Sequence, residues 1–400
     1  MESKFYPNSE LNLSGINVFQ HLAKEAPEQL LKFAMNLEEF QNNPDKAVKN
    51  WEKKEYGSLK GVMDAYSKFI AKITDQNYKF TVDDLKSIHE TAIKNTTYPG
   101  KLNFSQLRCF RGEKFTLDQL VDNTRTITNN WSTSFTIYSK TLEEEGLENL
   151  VRLYPNHRFT GAKVANLENK EEITIDTKDK DWTEKFIEYL KQPKKYICSF
   201  LFFGYDGDLT EDEMNNACRL YGLEAKSKAI KDNLSTSEQE TIANLRQKFQ
   251  SNLEKQIINT LSNFYEKIHS EQENDHKLFD IAEFIQKSEH IHPFYDANCR
   301  TFCIVLLNLL LMQNGFAPTL IDDPNKFDGY SIKGLVSLIK EGIQNTNKLC
   351  SYIQTPSKEG DENWMEVSAE NKARYQKPQL PEDYYYQELV KLHIINDREQ

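Results

Sequence analysis

The run from Phe302 to Met312 limits what this chain can become. It is 11 residues long, is interrupted only by Asn308, and places Phe302, Ile304, Val305, Leu306, Leu307, Leu309, Leu310, Leu311 and Met312 all around a helix. A helix that is apolar on every side is stable only when other elements enclose it. The run is too short to span a bilayer, which takes about 20 residues. It is therefore expected to be a core helix running from Cys299 to Asn314, with Asn314-Gly315 as its C-terminal cap.

Helical spacing recurs elsewhere. Leu278, Ile281, Phe284 and Ile285 mark one face of a helix that should stop near His292, because Pro293 disfavours the α conformation in the residue before it. Leu85, Ile88 and Ile93 mark another helix, which starts after Thr81 or Asp83 and has His89 beside its apolar face. The region from Leu11 to Ile73 reads as helical, and residues 236–270 as one long amphipathic helix. Against this background Tyr196–Phe203 reads as a buried strand and Trp182–Leu190 as a helix. Residues 100–118 alternate in character (Leu102, Phe104, Leu107, Cys109) around Arg111-Gly112, as a short β-hairpin would. Only 15 Gly and 12 Pro occur in 400 residues, too few for an all-β fold punctuated by turns. The expected class is mainly α, and the length exceeds the about 100–200 residues of one domain.

Charge narrows the function. Fifty Lys and Arg stand against 61 Asp and Glu, a net charge of −11. Such a chain lacks the basic footprint of a nucleic-acid binder and is not drawn to anionic membranes. A nucleotide must then be held by a specific site. The 6 cysteines form no Cys-x-x-Cys pair, and reduced thiols in the cytoplasm account for them most simply. No signal peptide or membrane insertion is expected.

The chemistry gathers between two helices, in His292-Pro293-Phe294-Tyr295-Asp296-Ala297-Asn298-Cys299-Arg300-Thr301. Unpaired N–H groups at the start of a buried helix attract anions. Arg300 adds a planar cationic fork for phosphate. Asp296 is a hard oxygen ligand suited to Mg2+, and His292 can take a proton near neutral pH. A base, a metal carboxylate and an anion cradle together describe attack by an acceptor hydroxyl on a phosphate of a nucleotide-like donor.

This segment resembles the signature of Fic domains, His-Pro-Phe-x-(Asp/Glu)-Gly-Asn-Gly-Arg-Thr-x-Arg. His292, Pro293, Phe294, Asp296, Asn298, Arg300 and Thr301 match it. The helix at Leu85–Ile93, the turn at Pro99-Gly100 and the hairpin resemble the family's leading helix and its target-aligning flap. The resemblance implies a Fic-type helical core with a short β-hairpin flap and a long mixed insertion. Its bounds would be an N-terminal helical region at 1–77, a discontinuous core at 78–118 and 276–345, an insertion at 119–275 and a tail at 346–400. It implies His292 as general base, Asp296 as the Mg2+ ligand, and Asn298, Arg300 and the loop at Ala297 and Cys299 as donor-phosphate binders. Phe294 would anchor the loop. The partner would be a protein bearing a Ser, Thr or Tyr hydroxyl.

Three positions depart from the signature: Ala297 and Cys299 stand in place of its glycines, and Cys303 in place of its final arginine. In AMP-transferring members that arginine grips the outer phosphates of ATP. AMP is the family's default group. The departures resemble branches that bind the donor in a flipped sense and transfer phosphocholine from CDP-choline, or phosphate. The donor is thus ATP or CDP-choline-like, with an inactive Fic scaffold that only binds as a further alternative. The lack of a signal peptide suits a cytoplasmic enzyme or an effector exported into a host cell. A loose inhibitory-helix pattern at Ser337–Gly342 reads as an ordinary helix end.

Overall fold

A computed structural model describes residues 15–42, 46–54, 57–75, 77–93, 132–138, 157–169, 171–175, 179–204, 235–268, 273–294 and 297–354. The hairpin expected at 100–118 lies outside them, as do Tyr295 and Asp296. The architecture is mainly helical with one small antiparallel sheet.

The N-terminal region is a series of short helices: α1 (Ile16–Glu25), a 3-10 turn (Pro27–Phe33), α2 (Leu37–Asn42), α3 (Ala47–Lys54) and α4 (Ser58–Ile73). α5 (Val82–Ile93) follows, opened by the Thr81 and Asp84 side chains, each of which accepts from the other residue's backbone N–H. α4 and α5 lie close because Gly61 has no Cβ to strike the Ala92 carbonyl. α7 (Thr236–Lys267) and α8 (Asn274–Ile291) then lead into the motif.

The apolar helix is found where its sequence demands it, but its first half is wound differently. Arg300–Leu306 is a π-helix that passes directly into α9 (Leu307–Gln313). Its widened turn leaves the Ile304 carbonyl within reach of side chains. The Tyr66 hydroxyl lies 2.9 Å from that oxygen, and Asn308 Nδ2 donates to the Tyr66 hydroxyl at 3.0 Å. Asn308 Oδ1 accepts from the Thr319 N–H at 2.6 Å. The one polar residue in the run is thus the junction of α4, α9 and the following loop, and its buried polar atoms are satisfied. Gly315, at φ 84, closes α9.

A 3-10 turn (Pro324–Asp328) and α10 (Ile332–Gln354) complete the helical core. Gln286 of α8 donates to the carbonyls of Phe327 (3.0 Å) and Tyr330 (2.7 Å), which fixes that turn against α8. Ser337–Gly342 proves to lie inside α10 rather than at a helix end, with Glu341 exposed.

β1 (Ser132–Ile137), β2 (His157–Asn166), β3 (Glu172–Ile175) and β4 (Tyr196–Gly204) form a sheet in the order β1-β4-β2-β3, all antiparallel. A register shift between Phe159 and Gly161 marks a bulge in β2. Period-two alternation sends Phe135, Ile137, Ala162, Val164, Cys198 and Phe200 to one face, which α6 (Trp182–Leu190) covers with Phe186 and Leu190. This second core is separate from the large helical one. Among the described residues, no helix is long and apolar enough to cross a membrane.

Candidate active site

α8 stops where Pro293 predicts. Its C-cap is His292, in the left-handed region at φ 50, and the His292 N–H reaches the Ser288 carbonyl at 3.3 Å. The motif loop then closes on itself. Asn298 Oδ1 accepts from the Phe294 N–H at 3.0 Å, and Asn298 Nδ2 donates to the Phe294 carbonyl at 2.7 Å. Asn298 is buried, and its side-chain amide closes the loop through both its oxygen and its nitrogen.

A second clamp comes from 212 residues upstream. His89 Nδ1 lies 3.0 Å from the Thr301 hydroxyl, which itself donates to the Ala297 carbonyl at 2.8 Å. His89 therefore donates from Nδ1. Its ring stacks on Phe294 at 3.8 Å between centroids, and Phe294 stacks on Phe302 at 5.9 Å. Phe294 is the loop's anchor in the core, and His89 fixes it from outside.

Arg300 is buried at the start of the π-helix, in the place sequence reasoning gave it. Ala297 holds φ 58, a conformation that suits glycine, the residue of the Fic signature here. Cys299 is half-buried beside the cradle. A hydrogen bond with Cys303 acts to lower its thiol pKa, but burial and nearby carboxylate charges outweigh it and the thiol stays above its ordinary range. Burial also pushes the Cys303 thiol well up.

Sequence reasoning missed the group that gives this site its electrostatic character. Glu289, 2 % exposed, lies one helical turn before His292 and places Oε1 3.6 Å from His292 Nδ1. Its other oxygen accepts from the Cys303 thiol at 3.7 Å. The half-buried Asp328 faces the same corner from the 3-10 turn, where its carbonyl accepts from His290 Nε2 at 2.8 Å. Desolvation, together with the charges of Glu289 and Asp323, pushes the Asp328 carboxyl well above the usual carboxylate range. Glu289 thus reaches Cys303, where the Fic signature would place an arginine, and the Asp328 carboxyl lies close enough to feel its charge. The i, i+3 spacing of Glu289 and His292 was a usable signal; nothing local marked Asp328.

Asp296, to which the resemblance assigns Mg2+, lies outside the described residues. Among the described residues, no group of three or more His, Cys, Asp or Glu is arranged to hold a metal. One carboxylate completed by donor phosphates and water is a set that Mg2+ accepts.

A model of the Fic/DOC family matches residues 223–311. Phosphocholine transferase AnkX of Legionella pneumophila (strain Philadelphia 1) is 51% identical over 72 residues, which are 18% of this chain and 8% of that protein. This chain therefore matches only a small part of that relative's length. The matched region contains α8, the His292–Thr301 loop and the start of the buried helix, and this chain carries a divergent Fic/DOC-family domain.

Proposed function

We propose that this chain is a Fic-type transferase that moves phosphocholine from a CDP-choline-like donor to a hydroxyl of a protein side chain. The observation that carries this reading is the buried Glu289 carboxylate, which lies beside His292 and against Cys303, in the position that an ATP-gripping arginine would make basic. A buried carboxylate repels the outer phosphates of ATP and attracts a cation, and two unit charges 4 Å apart interact by about 4 kcal/mol at an effective dielectric near 20. Quaternary ammonium is a cation that needs no hydrogen-bond acceptor and tolerates a desolvated pocket. The local identity to a phosphocholine transferase supports the same reading.

In this mechanism His292 removes the acceptor hydroxyl's proton. The resulting oxygen attacks the choline-bearing phosphorus, and the bond from that phosphorus to the bridging oxygen breaks. CMP departs with the electron pair. Arg300, Asn298 and the N–H groups at the helix start hold the phosphates. Mg2+, held by Asp296 and the donor, supplies charge neutralisation when bound.

The test offers CDP-choline or ATP, each with Mg2+, to the wild type and to His292→Ala in a cell lysate. Adducts are read by peptide mass spectrometry and donor consumption by CMP or pyrophosphate release. The expected result is a His292-dependent phosphocholine adduct and CMP. AMP adducts from ATP, or no adduct from either donor, overturn the reading.

A further inference from the structure

We infer that strand β1 of the inserted sheet completes the donor site, with Phe135 as the residue that distinguishes quaternary from primary ammonium head groups. This rests on the phosphocholine reading above.

β1 is an edge strand. One side pairs with β4 from Ser132↔Phe203 to Ile137↔Cys198. The other side, with Tyr138 just past the strand's end, meets the 3-10 turn of the helical core and the residues that flank it. The Thr136 N–H donates to the Asp328 carboxyl. The Thr136 carbonyl oxygen occupies the space a Cβ on Gly329 would need. The Tyr138 hydroxyl lies 3.4 Å from Asp323 Oδ2, and its ring meets Tyr330 edge-on at 4.9 Å. The sheet is therefore joined to the turn whose Asp328 carboxyl feels the charge of Glu289.

Phe135 belongs to the core of the sheet and is 1 % exposed, yet it also reaches the motif. Its ring centroid is 5.3 Å from His290 and 6.1 Å from His292, at 81° to the latter. The same corner thus holds the base, the Glu289 carboxylate, the Asp328 carboxyl and an aromatic ring, supplied by three separate stretches of chain.

The chemistry of the head group explains why a ring is needed there. Carboxylates attract primary and quaternary ammonium alike, and they favour the primary form because it donates hydrogen bonds to them. Preference for the methylated cation requires an aromatic surface that interacts with it and excludes water. Among the described residues, Phe135 is an aromatic side chain in ring contact with His292.

The test measures kcat/KM for CDP-choline and for CDP-ethanolamine, and CDP-choline binding to the His292→Ala background by calorimetry. Phe135→Leu is expected to lower the choline-to-ethanolamine ratio about tenfold, through KM for CDP-choline and with a matching loss of binding. Phe135→Trp, which keeps an aromatic face, is expected to retain the preference. If Phe135→Leu does not fold, Phe135→Met carries the same comparison. A wild type that uses CDP-choline with an unchanged ratio in the folded non-aromatic variant overturns the role of Phe135 alone. A wild type that ignores CDP-choline overturns the reading beneath it.

Discussion

Glu289 and His292 occupy successive turns at the end of α8, with Oε1 3.6 Å from Nδ1, and that imidazole nitrogen has no hydrogen-bond partner among the described residues. The carboxylate is too distant for a hydrogen bond but close enough to impose its field on the base and on whatever lies next to it. Cys303 engages its second oxygen, so the charge is fixed in direction.

Glu289→Gln keeps the shape and removes the charge. The expected outcome is a rise in KM for CDP-choline of about tenfold or more, since a desolvated charge contact is worth over 1.4 kcal/mol. Steady-state CMP release measures it. Better use of CDP-choline by Glu289→Gln would show that the carboxylate does not attract the head group.

Asp328 gives a pH signature. Its carboxyl is raised in the folded protein, so the native state holds this proton more tightly than the unfolded chain does. The stability it contributes is fully present below the ordinary carboxylate pKa and is lost as pH rises through the raised value. Asp328→Asn cannot ionise. Its melting temperature is therefore expected to gain on that of the wild type between about pH 4 and neutrality. Calorimetric scans across that range measure it, and parallel curves would refute the shift.

How much of this was legible in the sequence follows from how local each feature is. The end of α8, the buried helix, β4 and α6 are written in Pro293, in the Phe302–Met312 run and in short periodic segments. The π-helical start was not, because nothing in Arg300–Leu306 distinguishes i→i+5 from i→i+4 bonding. That winding depends on Tyr66 and Asn308, 242 residues apart. The acidic corner was hidden in the same way: Glu289 reads as one more helical glutamate until the turn at Asp328 folds against it. Phe135 carried no site signal, since its alternation with Thr136 speaks only of a strand face.

Ala297 tests the motif loop itself. An L-residue in the left-handed region costs about 1–2 kcal/mol, whereas glycine pays about 0.5–1 kcal/mol in unfolded-state entropy. Ala297→Gly is therefore expected to leave stability unchanged or raise it by up to about 1 kcal/mol. Urea denaturation measures this. A clear loss of stability would show that the Ala297 methyl, buried in the loop, contributes more packing than its backbone costs in strain.

Gly329 tests the junction between the sheet and the helical core. Its φ is −138, which any residue adopts, so an alanine there incurs no backbone penalty. Its Cβ would nevertheless run into the Thr136 carbonyl oxygen, a backbone atom that cannot rotate away. Gly329→Ala must push β1 off the 3-10 turn or displace the turn from Gln286, at an overpacking cost of about 1–3 kcal/mol. Gln286 holds that turn through two hydrogen bonds, so the strand is the part expected to yield. Faster amide exchange in β1 and a higher KM for CDP-choline, with α8 and α9 still protected, are the expected outcomes. Unchanged exchange and an unchanged KM would mean that the sheet neither bears on the acidic turn nor completes the donor site.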